Sequence, residues 1–364
     1  MTTRLSEPDQ WVAFRERLLA WHMTSARDLP WRGETDPYRI WVSEIMLQQT
    51  TVQTVSGYYG RFLSAFPTVE ALAAASEEDV YRLWQGLGYY SRARSLLACA
   101  QKVSGEMGGR FPETAEALEK LPGIGPYTAG AIASMAFGEP VLAMDGNLVR
   151  ALSRLSAESG CVADTAVRKR LHAFGARLVD PDRPGEFNQA MMGLGRLVCL
   201  PKKPRCETCP VAGFCGALAL GAQTRIPVLP ARAEKRVVRR GVALVFCRES
   251  VLVRKRPDTG LLAGLWEFPG FEDACDTASV RACLAEMGME RLRSQGEAPS
   301  VKHVFTHVVW QMKGFAFEVG APPDGLTFVT ASELERLPMP SAMRAFRTFV
   351  LKALNGSAAP NQIR

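Results

Sequence analysis

Two carboxyl side chains stand in settings that suit acid–base chemistry. Glu44 lies in Ile40–Leu47, where only Ser43 and Glu44 are polar, so on a helix it shares its face with apolar neighbours. Partial burial raises the pKa of a carboxyl group and keeps it protonated near neutrality, as a general acid requires. Asp145 directly precedes a predicted helix. In glycoside cleavage, a carboxyl group in an apolar setting donates the proton, and a second carboxyl in a polar setting stabilises the positive charge.

Both carboxyls also have simpler interpretations. Glu44 fits a solvated glutamate on a helix surface, and Asp145 fits an N-cap. A capping aspartate stays ionised and still faces a ligand, so the two roles of Asp145 are compatible. The pattern alone leaves these alternatives open.

A concentration of cysteines predicts a metal site. Four of the nine cysteines fall within seventeen residues with the spacing C-x6-C-x2-C-x5-C, at Cys199, Cys206, Cys209 and Cys215. Four thiolates suit tetrahedral zinc or an iron–sulfur cluster, and the presence of a single C-x2-C pair favours the cluster. Unligated buried cysteines are the third interpretation. Lys202, Lys203 and Arg205 place positive charge in the same loop, which suits a phosphate backbone.

A glycine-rich turn joins two predicted helices, Thr114–Lys120 and Thr128–Phe137. The string LPGIGPYTAG supplies Gly123 and Gly125. Glycines let the backbone approach a ligand closely, and the start of the second helix presents free N–H groups. A nucleic-acid phosphate fits such a site without a requirement for base identity. An ordinary turn between two helices is the alternative.

These residues need helices to position them, and the first 220 residues have a helical pattern. Apolar residues recur at helical spacing from Asp9 to about Leu220. Asp36-Pro37 predicts an N-cap followed by proline at the first helical position, and the helix Tyr38–Gln49 then carries Glu44. Further helices are predicted to begin near Thr68, Ser76, Ser91, Thr114, Asn147, Thr165 and Asn188. We therefore expect an all-α region.

The pattern changes after residue 220. Residues 221–236 contain prolines and several basic residues and predict a solvated linker, with docking to a partner as the alternative. β-Branched runs follow and alternate with one helical segment, which predicts an α+β domain over residues 237–355. The predicted elements are a hairpin of Val237–Cys247 and Val251–Arg256, the helix Thr277–Gly288, and the strands Val301–Phe305 and Val308–Val319.

Composition limits the class of protein. The chain has 364 residues, of which 47% are hydrophobic and 22% charged, as in a globular protein of two domains. These values exclude a disordered chain, a coiled coil and a collagen-like fibre, and no apolar stretch is long enough for a membrane span. The net charge of +7 permits binding to an anionic polymer without requiring it. The first ten residues lack an apolar stretch, so we expect no secretory signal and no disulfide framework.

The cysteine spacing together with the LPGIGPYTAG string resembles the helix-hairpin-helix DNA glycosylases related to endonuclease III. The resemblance implies that the four cysteines hold a [4Fe–4S] cluster and that Gly123 and Gly125 contact a DNA phosphate. Bifunctional members have a lysine where this chain has Tyr127. A phenol cannot form the Schiff base that leads to strand cleavage, so we expect base removal without an efficient lyase step.

Four further segments extend the resemblance to adenine DNA glycosylases, the MutY family, and together with the C-terminal region it covers nearly the whole chain. The segments are Leu29–Arg32 (LPWR), Ser43–Thr50 (SEIMLQQT), Gly86–Arg92 (GLGYYSR) and Met144–Asn147 (MDGN). No single motif carries the resemblance.

The resemblance assigns roles to the polar residues of these segments. Glu44 protonates a flipped adenine, and Asp145 stabilises the positive sugar by its charge or by a transient covalent bond. Tyr127 and Asn147 line that pocket, with Arg32 close to the adenine. Base flipping costs a few kcal/mol of unstacking, and side chains refill the gap in the duplex.

The residues that fill the duplex and contact the opposite base are then Gln49, Thr50, Leu87 and Tyr89. Core packing is the alternative for Leu87 and Tyr89. At one position the chain departs from the family, which normally has Glu or Asp where this chain has Gly193. That carboxylate is associated with gripping adenine.

The segment Leu265–Gly270 (LWEFPG) resembles the start of the catalytic box of Nudix hydrolases. Those enzymes need a cluster of glutamates for magnesium, whereas only scattered acids follow Gly270. In the MutY family this domain recognises 8-oxoguanine through a Phe-Ser-His loop, and the present chain has Phe305, Thr306 and His307. Threonine keeps the hydroxyl group and adds a methyl group. A purely structural threonine is the alternative.

The sequence thus predicts an all-α helix-hairpin-helix glycosylase domain with an iron–sulfur loop over residues 1–220 and a linker over 221–236. A smaller α+β Nudix-like domain without the hydrolase box follows over 237–355. We expect a monomeric, monofunctional enzyme of base excision repair that removes adenine mispaired with 8-oxoguanine or guanine in double-stranded DNA and leaves an abasic site. Its expected cofactor is a [4Fe–4S] cluster, and its expected location is the bacterial cytoplasm at the nucleoid, away from membranes.

Two other functions remain as alternatives. One is an endonuclease III-like glycosylase-lyase, against which Tyr127 and the Nudix-like domain count. The other is a module that binds damaged DNA without cutting it, against which Glu44 and Asp145 count.

Overall fold

A computed structural model describes Leu5 and residues 7–25, 29–231 and 234–356. The N-terminal residues on which the expected lack of a secretory signal rests lie partly outside these ranges. The chain forms two compact units. The first comprises Met1–Ala75 and Arg94–Arg232, and the second comprises Ser76–Ala93 and Ala233–Arg364. Within the described ranges, no helix is both long enough and apolar enough to cross a membrane.

The expected all-α character of the first 220 residues is confirmed, since the described residues there form helices and no extended strand. Among the described residues, an isolated bridge between Cys161 and Val228 is the β-type pairing that involves this part of the chain. In chain order the helices are α1 (Pro8–Ser25), α2 (Pro37–Leu47), α3 (Val52–Ala65), α4 (Val69–Ala73), α5 (Glu77–Trp84), α6 (Tyr90–Met107), α7 (Ala115–Leu118), α8 (Pro126–Ala136), α9 (Gly146–Leu155), α10 (Thr165–Leu178), α11 (Pro184–Leu197) and α12 (Gly216–Ala219).

Side-chain caps start many of these helices where the sequence predicts them. Asp36 accepts a hydrogen bond from the Tyr38 amide at 2.8 Å, with Pro37 at the first helical position of α2. Caps at Thr68, Ser76 and Thr114 begin α4, α5 and α7 in the same way. Each cap satisfies an amide that has no partner within its helix, so the starting residue of the helix is defined locally.

Several predicted helix bounds differ from the structure by about two to four residues, and two of these differences have a clear local cause. Helix α2 ends at Leu47, two residues before the predicted Gln49, because Gln49 has a left-handed backbone with φ of 55°. Helix α11 begins at Pro184 rather than near Asn188, because proline at the first helical position starts it one turn earlier.

The core of the first unit lies among α1, α9, α10 and α11. Fully buried side chains from these helices include Phe14, Leu152, Leu171 and Phe187. Burial of such side chains stabilises a fold by about 1.5–3 kcal/mol each relative to exposure. This packing brings α1, α9 and α11 side by side, although they are distant in the sequence.

The second unit contains a mixed β-sheet with helices on it, as expected for an α+β fold. Strand order is β3-β2-β1-β6-β5, with β4 paired to β1 and β7 paired to β2. The strands are β1 (Arg236–Cys247), β2 (Ser250–Lys255), β3 (Trp266–Glu267), β4 (Gly270–Glu272), β5 (Arg293–Val304), β6 (Val308–Glu318) and β7 (Thr327–Thr330), and the helices are α13 (Thr277–Glu286), α14 (Ala331–Arg336) and α15 (Arg344–Leu354).

Strand β1 runs through the middle of this sheet and is buried on both faces. Val242 and Leu244 belong to one apolar cluster, whereas Ala243 and Val245 belong to another. Successive side chains of a strand point to opposite faces, so the continuous apolar run of β1 supplies both clusters. The predicted hairpin is present, with Cys247 paired to Ser250.

The prediction of a strand limited to Val301–Phe305 is wrong, because residues 301–304 form only the end of β5 and Phe305 lies after it. The strand begins at Arg293 and pairs with β6 in antiparallel register that shifts twice. Gly296 and the bulged stretch around Pro299 interrupt the alternation of side chains that marks a strand in sequence.

Candidate active site

A cavity of about 500 Å³ in the first unit brings together residues from distant parts of the chain. Glu44 from α2, Tyr127 from α8, and Asp145 and Asn147 from the start of α9 all line it, together with Arg32. Thr50 lines it as well. The residues that the sequence suggests for chemistry therefore share one space with the suggested adenine-side residue Arg32.

Glu44 lies in the apolar setting that its sequence neighbours predict. Its side chain is only 4% exposed, and the Tyr127 hydroxyl donates a hydrogen bond to Glu44 Oε2. Burial raises the pKa of Glu44 to about 7, and the nearby charge of Asp145 adds to the rise, while the Tyr127 hydrogen bond opposes it. A carboxyl group with this pKa carries a proton in much of the population at neutral pH and is able to donate it.

Asp145 is the N-cap of α9 and also faces the cavity, so the two roles inferred from sequence coincide. Its Oδ1 accepts from the Leu148 amide at 2.7 Å, and its Oδ2 accepts from Asn147 Nδ2 at 2.6 Å. Burial raises the pKa of Asp145, so its setting is less polar than the sequence indicates. The hydrogen bonds and the Arg150 guanidinium act in the opposite direction and favour the charged form.

Arg150 connects this pocket to the cysteine loop. It donates to Asn147 Oδ1 at 3.0 Å, to the Gly195 carbonyl at 2.6 Å and to the Cys199 carbonyl at 2.7 Å. Sequence reasoning missed this residue. Its position one helical turn after Asn147 was the available signal, since residues three apart are neighbours on a helix.

The four clustered cysteines line one small cavity of the first unit. Arg154, which is 2% exposed, donates to Cys199 Sγ at 3.2 Å and to the Leu200 carbonyl at 2.8 Å. In the described part of the chain, no three His, Cys, Asp or Glu side chains close on a single metal ion. Four thiols around an opening, with a buried cation bonded to one of them, fit a negatively charged cluster of several metal atoms.

The glycine-rich turn between α7 and α8 has the geometry of a close backbone approach. Gly123 has φ of 74°, and a methyl group added there would lie 2.4 Å from Ser95 Cβ. Gly125 caps α8 without a side-chain hydrogen bond and is exposed, as is Pro126. The first amides of α8 are therefore open to an anionic group such as a phosphate.

The four residues suggested to fill the duplex fall in different environments. Leu87 is buried, with 4% exposure, which fits the core-packing alternative, whereas Tyr89 is 45% exposed. Gln49 is exposed and Thr50 is half-buried. Gln49 and Tyr89 both have left-handed backbones, with φ of 55° and 48°. Such conformations cost about 1–3 kcal/mol for residues other than glycine, and they cluster at functional sites.

The loop Phe305–His307 forms the turn between β5 and β6 in the second unit. Thr306 and His307 are exposed, and Phe305 packs edge-to-face against Trp310. The Thr306 hydroxyl lies 3.0 Å from the Tyr89 hydroxyl, within the same unit. A hydroxyl pair and an aromatic ring are thus presented together on this surface.

The acid of the LWEFPG segment is engaged in ion pairs. Glu267 is 1% exposed and accepts from Arg254 at 2.9 Å and from Arg256 at 2.6 Å. Two guanidinium groups therefore occupy the carboxylate of this segment.

Family models match three parts of the chain. A model described as HhH-GPD superfamily base excision DNA repair protein matches residues 42–176. The iron-sulfur binding domain of endonuclease III matches residues 199–215, and a NUDIX domain matches residues 241–348. Residues 42–176 contain Glu44, Tyr127 and Asp145, and residues 199–215 begin and end at the outer cysteines of the cluster.

Among solved structures, a thermostable thymine-DNA glycosylase is similar to 58% of this chain over 98% of its own length. The TM-score is 0.52 and the sequence identity is 28%. A trapped endonuclease III–DNA covalent intermediate gives a TM-score of 0.51 over 61% of this chain and 99% of that chain. At 22% identity, this second likeness shows the fold alone.

Curated relatives extend the similarity over both units. The adenine DNA glycosylase of Homo sapiens is 37% identical, and the alignment covers 93% of this chain and 74% of the human protein. The enzyme of Arabidopsis thaliana is also 37% identical, over 93% of this chain and 64% of its own length. That of Schizosaccharomyces pombe is 32% identical, over 90% and 87%. The chain therefore belongs to the adenine DNA glycosylases, enzymes of base excision repair that carry a [4Fe–4S] cluster.

Proposed function

We propose that this enzyme excises adenine paired with 8-oxoguanine or guanine in double-stranded DNA and leaves an abasic site. The observation that carries the proposal is the buried Glu44, bonded to Tyr127 in the cavity that Asp145 also lines. The cavity volume of about 500 Å³ is in the usual range of roughly 300–1,000 Å³ for a small-molecule site. A flipped base is a ligand of that kind.

In the proposed reaction Glu44 donates its proton to a ring nitrogen of the flipped adenine. The electron pair of the glycosidic bond then leaves with the base, and positive charge develops on the sugar. The Asp145 carboxylate stabilises that charge, and water adds to the sugar carbon and gives up a proton to the solvent. Tyr127 holds the Glu44 carboxyl in place through its hydrogen bond. Asn147 holds Asp145 through the contact at 2.6 Å.

The enzyme is proposed to be monofunctional because of Tyr127. Burial and the neighbouring Glu44 raise the pKa of this phenol well above its usual value, so it stays protonated. No lysine is found among the described residues that line the cavity. Strand cleavage through a Schiff base needs an amine at the sugar, and a protonated phenol does not supply one.

The base opposite adenine is proposed to contact Thr306, with Phe305 and His307 beside it. The exposed hydroxyl of Thr306 is able to donate or accept a hydrogen bond at a base edge, and the Tyr89 hydroxyl is hydrogen-bonded to it.

Gly123 and Gly125 are proposed to bind a phosphate through backbone amides. In functional terms we keep residues 1–220 as the glycosylase domain, 221–236 as the linker and 237–355 as the lesion-recognition domain.

Single-turnover excision on duplexes with adenine opposite 8-oxoguanine or guanine tests this proposal. Glu44→Gln is expected to bind the duplex and to lose excision, whereas Glu16→Gln, an exposed glutamate of α1, serves as the matched control. Wild-type protein is expected to yield strand breaks only after alkali. Breaks without alkali indicate a lyase, and a Glu44→Gln rate above about a tenth of wild type contradicts the role of Glu44.

A further inference from the structure

The imidazole ring of His22 lines the cavity and has no role in the proposed mechanism. His22 lies in the last turn of α1, is half-buried and lines the same cavity as Glu44 and Asp145. Among the described residues, neither nitrogen of its imidazole has a hydrogen-bond partner. A half-buried imidazole nitrogen without a protein partner is free to bond to a polar ligand that enters the cavity.

The space beside His22 is open because of a glycine on the facing helix. A methyl group added at Gly193 of α11 would lie 3.8 Å from His22 Nδ1 and 3.7 Å from Trp21 Cη2. These are ordinary van der Waals distances, so any larger side chain at this position would project along the two rings. Gly193 itself lines the cavity. Because Gly193 has no side chain, His22 Nδ1 is accessible from the cavity.

Burial and nearby charge determine the form of the His22 ring. Burial lowers the pKa of His22, and the charges of Arg32 and Arg196, which also line the cavity, lower it further. The imidazole is therefore neutral at neutral pH, with one N–H donor and one lone-pair acceptor. A purine edge offers the same alternation of donors and acceptors. A phosphate offers acceptors alone and suits the two guanidinium groups better.

We propose that His22 is a specificity-determining residue of the base pocket, where its imidazole hydrogen-bonds to an edge of the extrahelical purine across the open face of Gly193. This inference rests on the proposed function, since the purine reaches the cavity only when it leaves the helix. The hydrogen bond forms only in the flipped state. It therefore favours the flipped base over the stacked base and does not add to the general affinity for DNA.

Binding to two duplexes separates a base contact from a backbone contact. One duplex carries noncleavable 2′-fluoro-2′-deoxyadenosine opposite guanine, and the other carries a tetrahydrofuran abasic analogue opposite guanine. For His22→Phe we expect the dissociation constant of the first duplex to rise about 3- to 10-fold, as for the loss of one hydrogen bond, and that of the second to stay unchanged. The matched control is His172→Phe, the same substitution at an exposed histidine of α10.

Two further variants keep the test independent of folding. His22→Asn retains a polar atom close to the position of Nδ1 and is expected to recover most of the lost affinity for the fluorinated duplex. Gly193→Ala places a methyl group in the space beside His22, at ordinary van der Waals distances from the His22 and Trp21 rings. Alanine also has a higher helix propensity than glycine. We expect its thermal midpoint to be equal or higher, while the single-turnover excision rate falls.

The outcomes are distinguishable. Equal losses on both duplexes place His22 at a phosphate and overturn the inference, as does behaviour of His22→Phe that matches His172→Phe. An unchanged excision rate of Gly193→Ala also contradicts the inference, because the purine then does not occupy the space beside Gly193. Failure of the wild-type protein to excise adenine from either mispair overturns the proposed function instead.

Discussion

At the scale of single residues, the behaviour of Glu44 depends on its burial. A carboxyl group in water would be ionised at pH 7, whereas this one lies among apolar side chains of α2 and has a raised pKa. Tyr127 opposes that shift through its hydrogen bond, and Asp145 reinforces it through its charge. Glu44 therefore retains its proton in much of the population at neutral pH until a base accepts it.

This arrangement predicts a pH dependence of excision. Since Glu44 acts in its protonated form, the single-turnover rate is expected to fall about tenfold per pH unit as the pH rises above its pKa of about 7. The profile is read from rates between pH 5.5 and 9, at enzyme concentrations that saturate the duplex. A rate that stays constant up to pH 9 contradicts the assignment of Glu44 as the acid.

At the scale of elements, the turn before α8 depends on two glycines that act differently. Gly123 has a left-handed backbone and leaves no room for a Cβ beside Ser95, whereas Gly125 has φ of −97° and open space around it. The first glycine therefore shapes the turn, and the second leaves the helix start accessible.

The two glycines form a matched pair for mutation. Gly123→Ala is expected to lower the free energy of unfolding by about 1–3 kcal/mol, through left-handed strain and the clash with Ser95. Gly125→Ala is expected to keep the stability of the wild type. Thermal melting of both variants checks the difference. Equal melting temperatures contradict the structural role of Gly123.

The cysteine loop depends on a helix that supplies none of its thiols. Arg154 of α9 donates to Cys199 Sγ and to the carbonyls of Leu200, Pro201 and Ile226. One buried guanidinium thus holds both the loop and the start of the following segment.

Arg154→Met should release this loop. The substitution leaves several buried acceptors without donors, at a cost of about 1–3 kcal/mol for each unsatisfied group. We expect a lower yield of folded protein and loss of the broad absorbance near about 400 nm that thiolate-bound iron gives. Arg177→Met, at an exposed position of α10, is the control. Full absorbance and stability in Arg154→Met contradict this role.

At the scale of the whole molecule, the chain does not divide at a single point. Ser76–Ala93 belongs to the same compact unit as the C-terminal part, although it precedes most of the helical unit in sequence. Removal of everything after the linker would therefore remove most of the unit to which α5 and the Tyr89 turn belong. Point substitutions in the full chain are the sharper test of lesion recognition.

Thr306→Ala in the full chain is expected to reduce the preference for adenine opposite 8-oxoguanine over adenine opposite guanine. The loss of one hydrogen bond at a base edge is worth roughly 1–3 kcal/mol, or about 5- to 150-fold in the ratio of excision rates. Thr348→Ala, at an exposed threonine of α15, controls for the substitution itself. An unchanged ratio would move lesion recognition to the residues around Gln49.

Local patterns carried much of what sequence reasoning predicted correctly. The caps at Asp36 and Asp145 and the apolar surroundings of Glu44 follow from residues within one or two helical turns. Such features depend on hydrogen bonds and periodicity inside one element, so they are visible in a linear sequence. The bound of β5 was missed because its glycine and its bulges break the alternation that marks a strand.

Contacts between distant elements were settled only by packing. Tyr127 and Glu44 are 83 residues apart, yet their side chains share a hydrogen bond. The link from Arg150 to the cysteine loop and the opening beside His22 likewise join elements that no local pattern connects. Sequence spacing constrains side chains within a helix or strand, whereas the meeting of two elements depends on how their apolar faces fit together. The residues suited to the chemistry could therefore be identified from the sequence, whereas the cavity that they share is formed only when the chain folds.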